Sequence, residues 1–528
     1  MTIREQINSI AEKRILILDG AMGSLIQELN LNENDFRGNL FTNHPAPLKG
    51  CNDILCLTKP EVISAIHNSY LEAGADIIET CSFNSTSITL SDYRLEHLSY
   101  EVSAAAAKIA RGCADKFSVD GKPRFVAGSM GPTAKGASLY PDISNPSKRS
   151  IHWDELEAAY YENARGLLDG GADILLVETV FDTLNAKAAL FAISRIMEER
   201  QIDIPVIISA AVSGEALPGR LLSGQTLEAF CISVMHINPL AVGLNCSFNA
   251  QKLLPFVREA SLQVQKLSET VPCLFSVYPN AGLPNNSGKY EETPETMSAD
   301  IETFFREGIV NIIGGCCGST PAHIKAIAEK AAKYAPRKIT CDVPGAANRH
   351  FISGLEPLYI DGDNIGIEKI ANSDELKKLL ADGEYEDAVD TARDLIEDGA
   401  EILCIETDNE EAVGKFLDYA LMNPYVAKVP FLIKSSDMNV LEKGLKRIQG
   451  RSLAFATFAA ELPAYAAELP VLAAKLPAYA AELPAEQRQK IERIRRYGAA
   501  AVTAMRPKDA ADNCPGYILA GSFASHTI

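Results

Sequence analysis

The sequence predicts an α/β protein: a (β/α)8 barrel of the TIM type, followed by a second, incomplete set of β/α units. Two observations carry this. Across residues 1–335, eight short β-rich apolar runs alternate with helical stretches, the pattern of a parallel sheet with crossover helices. An open doubly wound sheet is the competing layout. It more often carries a glycine-rich phosphate loop after its first strand, and Asp19-Gly-Ala-Met-Gly23 does not fit GxGxxG.

Taken in order, the strand candidates are Ile15-Leu-Ile-Leu18, Ala75-Asp-Ile-Ile-Glu79, Phe125-Val-Ala127 and Ala172-Asp-Ile-Leu-Leu-Val177. They continue with Val206-Ile-Ile-Ser209, Leu240-Ala-Val-Gly-Leu244, Cys273-Leu-Phe-Ser-Val277 and Val310-Asn-Ile-Ile313. Helical patterns such as Pro60 to Ala73, Trp153 to Gly170 and Thr320 to Tyr334 fall between them. Gly-Ala-Asp precedes a strand twice, at Gly74 to Asp76 and at Gly171 to Asp173, a common helix-to-strand turn. A polar connector, 336–354, follows. The second region, 355–528, offers Leu358-Tyr-Ile360, Ile402-Leu-Cys-Ile405, Phe431-Leu-Ile433, Leu453-Ala-Phe455 and Ala499-Ala-Ala-Val502 as strands, with a helix over Tyr385 to Glu397. It is shorter than the roughly 200 residues of a complete barrel. Within it, 459–484 repeats Ala-Ala-Glu-Leu-Pro-like units with Pro463, Pro470, Pro477 and Pro484 spaced by seven. A coiled-coil heptad cannot carry an interior proline in every repeat, so this is a low-complexity insertion. A repeat expansion and an engineered replacement both produce such a segment.

A net charge of -19 argues against nucleic acid or an anionic membrane surface as partner. No apolar run approaches the roughly 20 residues of a spanning helix, and the polar start Met1-Thr-Ile-Arg-Glu-Gln-Ile is no secretory signal. Twelve cysteines in a chain of 528 residues then read as reduced thiols of a cytoplasmic protein.

Two of those thiols are adjacent. Cys316 and Cys317 lie between Gly314, Gly315 and Gly318, just past the eighth strand, and Cys246 ends the sixth. The glycines let two consecutive side chains reach one point. Three thiolates with one position open form a zinc site that holds and activates a further thiol. Asn280, after strand seven, is a weak fourth ligand that an incoming substrate can displace. A catalytic-cysteine hydrolase competes, but it needs a histidine partner, and none of the eight histidines ends a predicted strand. The chemistry implied is attack by a metal-held thiolate on an activated alkyl group.

Gly314-Gly-Cys-Cys-Gly318 with Gly243-Leu-Asn-Cys246 resembles the homocysteine S-methyltransferase family. Leu18-Asp-Gly-Ala-Met-Gly23, Glu79-Thr-Cys-Ser-Phe-Asn84, Gly128-Ser-Met-Gly-Pro132 and Glu178-Thr-Val-Phe-Asp182 match it in order. Within the family the chain is most similar to the homocysteine- and folate-binding half of the cobalamin-dependent methionine synthases. The resemblance implies a zinc-dependent transfer of a methyl group to homocysteine, giving methionine. Cys246, Cys316 and Cys317 would be the metal ligands. It also implies that Asp19 and Glu178 hold the substrate ammonium, with Ser82, Asn84 and Thr179 beside them and backbone amides of Ala21 to Ser24 facing its carboxylate. Tyr385-Glu-Asp-Ala, Gly444-Leu-Lys-Arg-Ile-Gln-Gly450 and Ile494-Arg-Arg-Tyr-Gly498 are similar to a pterin-binding barrel. Its binding signals have drifted. Ile360-Asp-Gly-Asp-Asn364 stands for Gly-Glu-Arg-Thr-Asn, Cys404-Ile-Glu406 for Asp-x-Asn, and Lys434-Ser-Ser436 for Asp-Ser-Ser. Ala456-Thr-Phe458 stands where an asparagine is expected. Lys434 would repel the guanidine-like edge of a pterin, so a degenerate, structural or docking region is expected there. No Asp-x-His-x-x-Gly occurs in the sequence, so methylcobalamin, the expected donor, would be held by another domain or chain. The alternatives are a homocysteine methyltransferase using S-methylmethionine or a betaine-type donor, and a non-catalytic zinc-binding subunit.

Overall fold

The computed structural model describes residues 1–142, 144–268, 272–285, 290–339, 349–361, 364–365, 369–456, 485–504 and 517–520. All eight runs expected in the first region are strands: β1 (Leu16–Ile17), β2 (Ile77–Glu79), β3 (Phe125–Met130), β4 (Ile174–Val180), β5 (Val206–Ala210), β6 (Ala241–Asn249), β7 (Leu274–Asn280) and β8 (Ile312–Ile313). Each pairs in parallel with the next, β8 pairs with β1, and a bridge from Leu18 to Ile77 joins β1 to β2. The ring is therefore closed, as a (β/α)8 barrel requires.

Alternation along the strands explains why the runs read as continuously apolar. Leu16, Leu18, Ile77, Phe125, Ala127, Ile174, Leu176, Ile207, Leu274 and Ile312 fill the barrel interior. Ile15, Ile17, Ile78, Val126, Leu175, Val177, Val206 and Ile208 pack under the helices. Both faces are dry, so neither tolerates a charge. Ile7 and Ala11 of the first helix (Ile3–Ala11) join the interior cluster and plug its lower end.

The repeated Gly-Ala-Asp does more than turn the chain. Asp76 accepts from Ile17 N (3.0 Å), from both Nη atoms of Arg14 (2.6 and 2.9 Å) and from Arg124 (2.8 Å). Asp173 accepts from Val126 N (2.8 Å) and Arg111 (2.6 Å). Each carboxylate ties its strand to the preceding one at the lower rim.

The second region differs from a barrel. Five strands, β12 (Ile370–Ala371), β13 (Ile402–Glu406), β14 (Phe431–Ser435), β15 (Leu453–Ala456) and β16 (Ala500–Ala504), run parallel. Then β17 (Tyr517–Ala520) and β11 (Asn364–Ile365) add antiparallel at the edge. Among the described residues this sheet is open. The last residues of the expected connector form β9 (Arg349–Ser353), which pairs with β10 (Pro357–Asp361). The insertion 459–484 lies outside the described residues, as do 340–348 of the connector, 362–363 and 457–458.

The two regions pack closely. The helix Thr183–Arg200 of the barrel is buried along most of its length. Its Lys187, 0% exposed, donates to the carbonyls of Ile448 (2.8 Å) and Gly450 (3.0 Å). Asp418 pairs with Arg149 (3.2 Å) and Arg447 (3.1 Å), and Tyr497 stacks on Phe191 and Trp153 with ring centroids at 4.7 and 5.5 Å. No described helix is long and apolar enough to cross a membrane.

Candidate metal centre

The Cys-Cys pair follows β8, which with β1 forms the barrel's closing seam. Its backbone is pinned to the end of β7. Cys316 N donates to Pro279 O (2.7 Å) and Ala281 N to Cys317 O (2.9 Å). Gly315 is required, because a Cβ there would lie 2.5 Å from Ser319 Oγ. That hydroxyl donates to Cys316 O (2.6 Å) and accepts from Ala21 N (3.1 Å). The Ala21 amide, expected to face a substrate carboxylate, is thus already engaged within the chain.

Cys246 arrives from β6 by a different device. The β6–β7 register shifts between Asn245 and Asn249, and Cys246 and Ser247 take φ of +57° and +61°. A left-handed residue in a bulged strand end re-aims its side chain. Asn245, 0% exposed, fixes this bend. Its Oδ1 accepts from Thr179 N (3.1 Å) and Ser209 Oγ (2.7 Å), and its Nδ2 donates to Thr179 Oγ1 (2.9 Å). Ends of β4, β5 and β6 are joined through one amide.

The three half-buried Sγ atoms lie within 4.8 Å of one another, with Cys246 and Cys317 at 4.0 Å. Tetrahedral zinc with bonds of about 2.3 Å places sulfurs about 3.8 Å apart, so the donor set fits that ion. The thiols of Cys316 and Cys317 donate toward Cys246 and pull it down to about 3. Cys316, donating to and crowded by that thiolate, is pushed well up. One negative charge is thus easily held here; all three require a cation in place of the protons. Asn280, 4% exposed, reaches Cys246 with its side chain, and its Oδ1 has no hydrogen bond.

Beside the thiols stands a second anionic cluster. Asp19 is 2% and Glu178 4% exposed. Asp19 Oδ2 accepts from Glu79 N (3.0 Å), while its Oδ1 has no partner. Ser129 Oγ donates to Glu178. Glu79 Oε1 is also buried without a partner. Burial pushes all three carboxyls up, and for Asp19 and Glu79 the nearby Glu178 charge adds to it. Burial likewise takes Glu178 to about 7, against the Ser129 hydrogen bond and with the Cys246 charge. No cation of the described chain pairs with Asp19 or Glu178. Buried acids with open oxygens and no counter-charge suit a ligand that carries its own ammonium.

The other residues named from the sequence are placed differently. Ser82 donates to Ser129 O (2.7 Å) and bonds Thr80 Oγ1 (2.6 Å), clamping β2 to β3. Asn84 is exposed, and its N donates to Asp53 (2.9 Å). Thr179, at φ +56°, serves the Asn245 bridge. The parts played by Glu79, Ser129 and Asn245 were not anticipated. For Glu79 the signal was available, since it ends strand two as Asp19 and Glu178 end strands one and four.

In the second region the drifted positions neutralise one another. Glu406 pairs with Lys434 (2.6 Å) and Lys377 (2.9 Å) and accepts from Asn372 (3.2 Å). Burial would raise Glu406, but the two ammonium groups hold it at about 2. These residues leave no free carboxylate for a pterin there, and they do not fit that group.

A family model described as homocysteine S-methyltransferase matches residues 16–331. Among solved structures, the homocysteine methyltransferase MmuM from Escherichia coli is similar in its metallated form, at 21% identity and TM-score 0.46, covering 61% of this chain and 98% of that one. Its oxidized form gives the same identity and TM-score, covering 61% and 97%. An archaeal fructose-1,6-bisphosphate aldolase follows at 12% identity and TM-score 0.29, covering 62% and 99%.

Proposed function

The chain belongs to the homocysteine S-methyltransferase family, and from that premise we propose that it methylates homocysteine to methionine at a zinc site formed by Cys246, Cys316 and Cys317. We propose further that it is the sulfur-activating part of a cytoplasmic, cobalamin-dependent methionine synthase. In this reading residues 1–335 are the catalytic barrel, 336–354 join it to 355–528, and the donor is methylcobalamin held by another module or chain. The observation that carries the reading is the side-by-side placement of three convergent thiols and three buried, uncompensated carboxyls at the upper mouth of the barrel.

The two clusters suit the two ends of one small zwitterion. Asp19 and Glu178, with Glu79, accept from its ammonium. Ser129 holds Glu178 in place, and the β6 bulge presents Cys246. Bound at the three sulfurs, zinc supplies the charge that keeps a substrate thiol ionised near neutral pH. Asn280, whose Oδ1 has no hydrogen bond, would be a weak ligand that such a thiol could displace. The substrate sulfur gives its electron pair to the methyl carbon, and the bond from methyl to donor breaks with its pair on the donor. Fixing both ends of the substrate aims its sulfur outward, where a large donor can approach.

The test is the Cys317→Ala variant, assayed for metal content and for transfer from free methylcobalamin to homocysteine. We expect the wild type to hold one equivalent of zinc and turn over, and the variant to lose both. Retention of one zinc with full activity by the variant refutes the site. A wild type that uses S-methylmethionine or a betaine but not methylcobalamin refutes the donor.

A further inference from the structure

A ligand with an ammonium at one end and a thiol at the other meets both anchors only if its chain spans the gap between them. On the acid side Asp19 follows β1; on the sulfur side Cys316 and Cys317 follow β8. The backbone ladder between these two strands stops short of the site. Its last rungs are Leu18 N to Ile313 O (2.8 Å) and Gly315 N to Asp19 O (3.1 Å).

Beyond them side chains take over. Ser319 is 0% exposed; its Oγ donates to Cys316 O (2.6 Å) and accepts from Ala21 N (3.1 Å). Tyr70, also 0% exposed, places its hydroxyl 3.1 Å from both Ala21 O and Ser319 O. Gly318 N donates to Ser24 Oγ (3.0 Å), on the helix Met22–Glu28. Room for the Ser319 hydroxyl is cut from both sides. A Cβ on Gly20 would lie 2.7 Å from Ser319 Oγ and 2.9 Å from the Tyr70 ring, and one on Gly315 2.5 Å from Ser319 Oγ. Neither glycine has a positive φ, so both serve close approach and not a turn. All the bonds of Ser319 Oγ and Tyr70 run to backbone, so these side chains act by placing the two turns.

We propose that Ser319, backed by Tyr70, is a positioning residue that fixes the gap between the ammonium acids and the thiols, and so selects homocysteine over cysteine. Cysteine has the same two end groups with one methylene less between them. With the gap held, cysteine satisfies the acids or the metal but not both. One methylene is commonly worth about 10- to 200-fold in a shaped pocket. The inference rests on the proposed function for the identity of the two anchors, but its test reads binding and not turnover.

Zinc-loaded wild type, S319A and Y70F are titrated calorimetrically with homocysteine and with cysteine, with no methyl donor present. We expect wild type to favour homocysteine by about 10-fold or more. In S319A homocysteine should lose about 10-fold in affinity and cysteine much less, so that the preference falls to within about 3-fold. Y70F, which keeps the ring, should give an intermediate preference. Zinc content should be the same in all three, since the thiols are untouched. If S319A fails to fold or to hold zinc, the preference of Y70F decides. An undiminished preference in the variants overturns the proposal. So does an equal loss for both thiols, which is what loosening of the fold alone would produce. A wild type that binds the two thiols equally, or binds neither, overturns it as well. A wild type that prefers homocysteine yet methylates it from no donor refutes the proposed function and leaves this comparison readable.

Discussion

Replacing Glu178 by glutamine should make the protein more stable and a worse binder of its substrate. Glu178 is 4% exposed and shares the barrel mouth with Asp19 and Glu79. Burial first, then the Cys246 charge, against the Ser129 hydrogen bond, takes it from 4.5 to about 7. A carboxyl raised on folding binds its proton more tightly in the folded state. Its favourable contribution is therefore fully present below pH 4.5 and is lost as pH rises toward 7. At about 1.4 kcal/mol per pH unit, the ionised group costs about 3 kcal/mol above pH 7. A glutamine amide in its place would keep an oxygen for Ser129 Oγ–H and carry no charge. Thermal melts of reduced E178Q and wild type should coincide near pH 5 and separate at pH 8, the variant melting higher by a few degrees. The same change removes an anion from the ammonium site. At about 4 Å and an effective dielectric near 20 that interaction is worth about 4 kcal/mol. Asp19 and Glu79 retain part of it, so KM for homocysteine should rise about 10- to 100-fold. An E178Q protein less stable than wild type at pH 8, or with unchanged KM, would refute the reasoning.

Asp76→Asn strips the counter-charge from Arg124, whose side chain is 5% exposed; urea titration should show a loss of about 3–5 kcal/mol. Asn245→Ala leaves Thr179 N, Thr179 Oγ1 and Ser209 Oγ without their partner. It should cost about 2–4 kcal/mol and weaken zinc retention in a chelator competition, since Cys246 follows directly. Trp153 is the single tryptophan and lies against Tyr497. Tyr497→Ala should therefore shift its emission to the red, and an unchanged spectrum would contradict the packing of the second region on the barrel.

The barrel was readable because its strands are dry on both faces. Ile15 to Leu18 or Val206 to Ser209 then stand out from any polar neighbourhood, and β1 to β8 fall where the runs do. The Cys316-Cys317 pair was readable from residue type alone, since few structural needs place two thiols between glycines. Glu79 was harder. Its place at the end of strand two was visible, but its contact with Asp19 depends on β1 and β2 meeting across the closed ring, of which local spacing carries no trace. Asn245 was hidden for the same reason: an amide inside an apolar run has meaning only when three strand ends are in register. Ser82 bonds Thr80 Oγ1 and Ser129 O here, and from sequence a serine at a strand end serves a clamp or a ligand equally well. The strand at the end of the connector was hidden differently. Arg349 and His350 begin β9, and charged residues with a central Phe351-Ile352 pair do not read as a strand until β10 lies beside them.

The closing seam of the barrel gives the metal site a mechanical role. β1 and β8, with two residues each, are the shortest strands of the ring and are neighbours. Two of the three thiols hang from one side of that seam, and the third is on β6, two strands away. An ion gripping all three would tie the β8 edge of that seam back to β6, so that fraying of this edge and release of the ion become one event. Amide exchange at Leu16 to Leu18 and at Ile312 to Gly315 should then slow when zinc is added, while the amides of β4 and β5 hardly respond. The site that prepares a sulfur for methylation would also anchor one edge of the barrel's closing seam.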